Sequence, residues 1–136
     1  MNRDELAKQL VIDEGMRTKP YNDTVGKMTI GVGRNLADRG ITEQEAMYLL
    51  ANDIESIEAD LDRALPWWRE MTERRQQTLA NMAFNMGIFR LLGFKNTLAA
   101  MQSGDYVQAH NGMLTSKWAE QVGARASRLA DMMLKG

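Results

Sequence analysis

A mostly helical α+β fold follows from three observations. One short segment, Arg17 to Arg34, combines turn chemistry with strand-like alternation. Nearly everything after Gly40 repeats its apolar residues at helical spacing. The 136 residues suffice for one domain with a real core and are too few for two independent ones. A single domain with two lobes is compatible with that length.

Taken in order, Asn2 or Asp4 caps a first helix from about Arg3 to Asp13. Leu6, Leu10 and Val11 form an apolar stripe, and Glu14, four after Leu10 and three after Val11, extends it. Its carboxyl is therefore expected to face packed apolar side chains, where desolvation favours the protonated form that a general acid requires. Gly15 suits the helix stop. Tyr21-Asn22-Asp23-Thr24 with Gly26 reads as a turn that leaves Asp23 solvated and ionised. In Met28 to Gly33, Ile30 and Val32 point one way while Thr29, Gly31 and Gly33 point the other. That second face is nearly bare, so a ligand can lie against backbone there.

After a short link, Asn35 to Gly40, Thr42 and Glu45 form a capping box, with Ile41 as a staple partner for Ala46. Ala46, Leu49, Leu50, Ile54, Ile57 and Leu61 keep a helical period up to Ala64, and Pro66 marks the end. Trp67 and Trp68 read as core packing with one of the pair partly exposed, because neighbours on a helix do not face the same way. Thr72 caps a central buried helix with Leu79, Met82, Ala83 and Met86 inward and Gly87 at its end. Gly93-Phe94 begins another, with Leu98 and Met101 inward and Gly104 closing it. Asp105 with Gln108 caps the next, whose apolar side is Tyr106, Ala109 and Met113. Ser116-Lys117-Trp118, with the tryptophan in the core, and a last helix from about Arg125 to Leu134 complete the chain.

Composition narrows the chemistry. Without cysteine there is no disulfide framework and no thiolate chemistry. His110 is the sole histidine, so no metal constellation forms and an ordinary hydrogen-bonded role is expected. The N-terminal MNRDELAK is a polar helix start rather than a signal peptide, and no apolar run approaches a membrane span. Residues 1–66 hold 8 Lys+Arg against 13 Asp+Glu, and residues 67–136 hold 9 against 5. A basic C-terminal part suits an anionic polymer, though nothing matches the dense basic stripe of a nucleic-acid binder. The eleven methionines are spread across the helices as adaptable packing.

One carboxyl kept neutral, one kept charged and a small-residue floor meet the needs of glycosidic bond hydrolysis. A glutamate at a helix end and an aspartate in a turn also occur as a surface charge and an Asx-turn. The run DEG at Asp13 to Gly15, then Tyr21-Asn-Asp-Thr and Thr29-Ile-Gly-Val-Gly, closely resembles the catalytic segment of the bacteriophage-type lysozymes, glycoside hydrolase family 24. The likeness continues through Gly40-Ile-Thr, Asn81-Met-Ala-Phe-Asn-Met-Gly, Gly93-Phe-Lys-Asn-Thr-Leu, Ser116-Lys-Trp and Arg125-Ala, and so covers nearly the whole chain.

The resemblance implies a lysozyme-like two-lobed single domain over 1–136: a small β-rich lobe at 15–41, a connecting helix at 42–65, and a helical lobe of 1–14 plus 66–136. It implies hydrolysis of the beta-1,4 bond between N-acetylmuramic acid and N-acetylglucosamine in bacterial peptidoglycan, with inversion. Glu14 would be the general acid, Asp23 would position or activate water, and Thr29 would help hold it. An inverting pair predicts carboxyl groups roughly 6.5 to 9.5 Å apart. Asn35 and Phe84 through backbone, Asn85, and Thr97 through its hydroxyl would bind sugar. No metal or organic cofactor is called for.

Three departures from the family pattern stand out. Arg34 replaces a frequent histidine, so an ion pair with Asp53 on the long helix is expected. The link before that helix is shorter than in the best-known members, which removes part of one cleft wall. Gly112 stands where a side-chain amide is usual. The alternatives are a lytic transglycosylase, against which Asp23 and Thr29 argue, and a lysozyme-fold module that binds wall or a partner protein without cutting. A monomer without stable membrane insertion is expected. It would wait in the host cytoplasm and reach the periplasm and wall by a separate export or holin route.

Overall fold

A computed structural model describes residues 1–136. It is mostly helical, with one three-stranded antiparallel sheet and eight α-helices. The chain divides into two compact units, Met1–Tyr48 and Leu49–Gly136.

The first unit opens with α1, Arg3–Glu14, capped by the Asn2 side chain, which accepts from the Glu5 N–H at 3.1 Å. Gly15 ends it at φ 77°, donating to the Val11 carbonyl. Strands β1 (Arg17–Asn22), β2 (Met28–Gly31) and β3 (Arg34–Asn35) follow in that spatial order. Pro20 lies on an edge strand, where its missing N–H costs no ladder bond, and the register of β1 on β2 shifts between Arg17 and Tyr21. The alternation expected through Gly33 stops at Gly31. Gly31 and Gly33 both have positive φ, and the chain turns between the paired residues Ile30 and Arg34. Two glycines free of a Cβ make that reversal cheap, so the expected hairpin becomes a three-stranded meander.

The expected burial of α1 is not found. No residue of α1 is buried, Leu6, Leu10 and Val11 are each more than a third exposed, and Glu14 is exposed as well. The reason lies in the sequence: Ile12, 81% exposed, falls off the Leu6–Leu10–Val11 line, so apolar groups lie on more than one side and no single face dominates. By its contacts α1 falls within the first unit, whereas its sequence reading allots 1–14 to the helical lobe.

Helix α2, Glu43–Ala64, begins in the first unit and continues in the second. The Thr42 and Glu45 capping box is present in both directions, at 3.1 and 2.9 Å. Of the apolar stripe along α2 only Leu61 is buried. A 3-10 turn, Pro66–Glu70, replaces the start of a regular helix, with Trp68 buried and Trp67 partly so. The indole N–H of Trp68 donates to Asp62 at 2.7 Å, and Arg69 bonds the same carboxylate. These bonds hold the Asp62 carboxyl below its usual range, Arg69 first and Trp68 second.

The second unit packs around α3, Glu73–Met86, capped by Thr72 and ended by Gly87. Leu79, Met82, Ala83 and Met86 are its buried stripe, as the period requires. Around it stand α4 (Ile88–Leu92), α5 (Lys95–Ser103), α6 (Tyr106–Leu114), α7 (Lys117–Val122) and α8 (Ala124–Lys135). Leu98, Met101, Ala109, Met113, Trp118, Leu129 and Met133 join the core. Six of its members are methionine: Met71, Met82, Met86, Met101, Met113 and Met133. His110 is partly buried, its Nδ1 3.0 Å from the Asn111 side-chain oxygen.

Candidate active site

Glu14 is the last residue of α1, and the reversal at Gly15 directs the chain into β1. Its side chain lies against Gly33. A Cβ built on that glycine would fall 3.1 Å from the Glu14 Oε2 and 3.4 Å from its carboxyl carbon. The seat of the carboxyl is therefore bare backbone at a glycine with φ 68°, a contact that no spacing rule reveals.

Asp23 opens the turn between β1 and β2. Its Oδ1 accepts from the backbone N–H groups of Val25 at 3.0 Å and Lys27 at 2.8 Å, and its own N–H donates to the Lys27 carbonyl at 2.9 Å. Its Oδ2 has no partner within the protein. Thr29, buried in the middle strand, donates its hydroxyl proton to that same Lys27 carbonyl at 2.9 Å. The Lys27 peptide thus ties the two polar candidates to one piece of backbone, a role absent from the sequence reading. The Thr29 oxygen keeps its lone pairs for another donor.

The contrast of burial expected from the sequence is reversed: Asp23 is half-buried and Glu14 exposed. Asp23 is drawn in by its backbone bonds, while α1 has no packed face to shelter Glu14.

Arg34 does not form the expected pair with Asp53. Its guanidinium is bidentate to Glu45, with Nη2 to Oε2 at 2.8 Å and Nη1 to Oε1 at 2.9 Å, and Nη1 also donates to the Gly40 carbonyl at 3.1 Å. Glu45 wins because its capping bond to the Thr42 N–H already fixes one carboxylate oxygen. Arg34 first and the Thr42 backbone second hold the Glu45 carboxyl at about 2, well below the usual range. A carboxyl depressed on folding contributes stability above its unfolded value and loses it as pH falls through the folded one. The melting temperature should therefore drop between about pH 4.5 and pH 2, and Glu45→Gln should flatten that part of the curve in calorimetric scans.

Asn35 has its side chain committed to Asp38, donating at 3.1 Å and accepting at 3.0 Å, which leaves its backbone for other partners. Asp53, Phe84, Asn85 and Thr97 belong to the second unit. Phe84 is 46% exposed and lines an open cavity of about 290 Å³ with Asp53, Ile57 and Ile88. Asn85 is exposed, and its carbonyl oxygen accepts from the Trp118 indole N–H at 2.8 Å, so half of its amide is structural. Thr97 is buried, and its hydroxyl fills the space where a Cβ at Gly112 would project. That overlap explains why no side chain stands at 112.

The phage lysozyme family model matches residues 12–131. The pre-baseplate central spike protein Gp5 of Enterobacteria phage T4 is 32% identical across 96% of this chain, which spans 28% of that protein's length. Probable T4-type lysozymes 1 and 2 of Dictyostelium discoideum are each 26% identical, across 96% of this chain and 94% of theirs. These alignments run over 159 to 161 positions, more than this chain has residues, so each relative carries segments without a counterpart here.

Proposed function

The chain belongs to the phage lysozyme family, and on that premise we propose that it is a peptidoglycan hydrolase of the muramidase kind. It cuts the beta-1,4 bond between N-acetylmuramic acid and N-acetylglucosamine with inversion. The observation that carries the reading is the Glu14 carboxyl seated on the bare backbone of Gly33, with Asp23 and Thr29 joined through the Lys27 peptide.

Glu14 gives its proton to the leaving glycosidic oxygen. Water attacks the anomeric carbon from the opposite face and passes a proton to Asp23 Oδ2, the oxygen without a protein partner. The Thr29 oxygen, whose own proton is held by Lys27, accepts the water's second hydrogen and orients it. Backbone at Asn35 and, in the second unit, Phe84, Asn85 and the Thr97 hydroxyl serve as sugar contacts. The enzyme acts as a monomer and reaches the wall by a route other than its own membrane insertion; no helix is long and apolar enough to cross a membrane.

Incubation with purified Gram-negative wall, read by mass spectrometry and by proton NMR of the new reducing ends, tests this. Products heavier by one water per cut, released first as the α-anomer, support it. Anhydro sugars would indicate a transglycosylase, and wall binding without new reducing ends would indicate a non-cutting module. The match to a central spike protein favours a second reading, in which the same cutting unit works inside a larger assembly.

A further inference from the structure

We infer that Arg34 and Glu45 form a positioning clamp for the Glu14 carboxyl, acting through Gly33. The inference rests on the reading of Glu14 as the proton donor. Within the first unit Glu14 has no polar anchor of its own; what sets its place there is contact with Gly33. That residue in turn is poorly held. It ends a turn whose two glycines lie at positive φ, and the strand after it, β3, is two residues long. Such a segment has few ladder bonds to resist displacement.

The side chain next to Gly33 supplies what the backbone lacks. The Arg34 guanidinium takes both oxygens of Glu45 and the Gly40 carbonyl, three acceptors at 2.8 to 3.1 Å. Glu45 is itself fixed by bonds exchanged with Thr42 at the start of α2. A rigid path thus runs from the first turn of a 22-residue helix through a planar, bidentate pair to the backbone that carries the carboxyl. An ordinary surface ion pair would have one contact and no fixed partner.

A clamp and a merely stabilising pair make different predictions. Arg34→Ala should lower kcat on soluble wall fragments about tenfold with KM within about twofold, since a small misplacement of a reacting group costs rate rather than binding. Amide hydrogen exchange at Leu36, whose N–H donates to the Met28 carbonyl at 2.8 Å, should rise about tenfold. Arg34→Lys, a point charge that cannot span the three acceptors, should recover only part of kcat. Thr72→Ala removes the cap of α3 in the second unit and touches no member of the clamp, so it should lower the melting temperature and leave kcat unchanged. Wild-type kcat in Arg34→Ala, or an equal loss in Thr72→Ala, overturns the clamp. If the wild-type chain cuts no wall, the hydrolase reading fails, and exchange still decides the clamp: unchanged protection at Leu36 in Arg34→Ala overturns it.

Discussion

Glu14→Gln is expected to lower the release of reducing ends from peptidoglycan by about a thousandfold while leaving the fold in place. The amide keeps the shape of the carboxyl and its contact with Gly33 but has no proton to give, and positioned general acids supply about a hundred- to ten-thousandfold in rate. Because residue 14 is exposed, the swap should change stability by no more than about 0.5 kcal/mol. The measurement is a reducing-end assay beside a thermal melt. Activity within tenfold of wild type, with an unchanged melt, would remove Glu14 from the reaction.

Gly33→Ala produces the second largest effect, on activity and stability together. At φ 68° an alanine costs about 1–2 kcal/mol in backbone strain. Its methyl group would also stand 3.1 Å from the Glu14 Oε2, so the carboxyl must move by a few tenths of an ångström or more. A shift of that kind at a reacting group costs up to about a hundredfold in rate. Gly104→Ala provides the comparison: it ends α5 at φ 82° with nothing within 4 Å, so it carries the same kind of strain with no neighbour to displace. Both variants should lower the melting temperature by similar amounts, and only Gly33→Ala should lose activity. Equal activities would show that the Gly33 contact has no part in catalysis.

Much of the helical unit was legible because its signals are local. Thr72, Asp105 and Ser116 cap helices through bonds to residues three positions on, and Leu79, Met82, Ala83 and Met86 share a face by period alone. The first unit was harder to read for a physical reason. Three residues at helical spacing suggested a packed face on α1, yet a stripe says only which side chains coincide, not whether anything covers them. The Glu14 seat on Gly33 and the shared Lys27 peptide both depend on how the strands fold back, which no local pattern encodes. Arg34 shows the same limit. A resemblance points to Asp53, whereas within the first unit the guanidinium is taken by Glu45, a carboxylate already oriented by its own capping duty. The 3-10 turn at Pro66–Glu70 and the short α4 are one-turn features, below the length at which periodicity speaks.

The six buried methionines give the helical core a chemical consequence as well as a packing one. Oxidation would turn each thioether into a polar sulfoxide that these interiors have no partner to accommodate. Peroxide reaches the most deeply enclosed of these sulfur atoms, Met82, Met101, Met113 and Met133, when the unit opens, so their rate of oxidation follows the population of the open form as well as the amount of reagent.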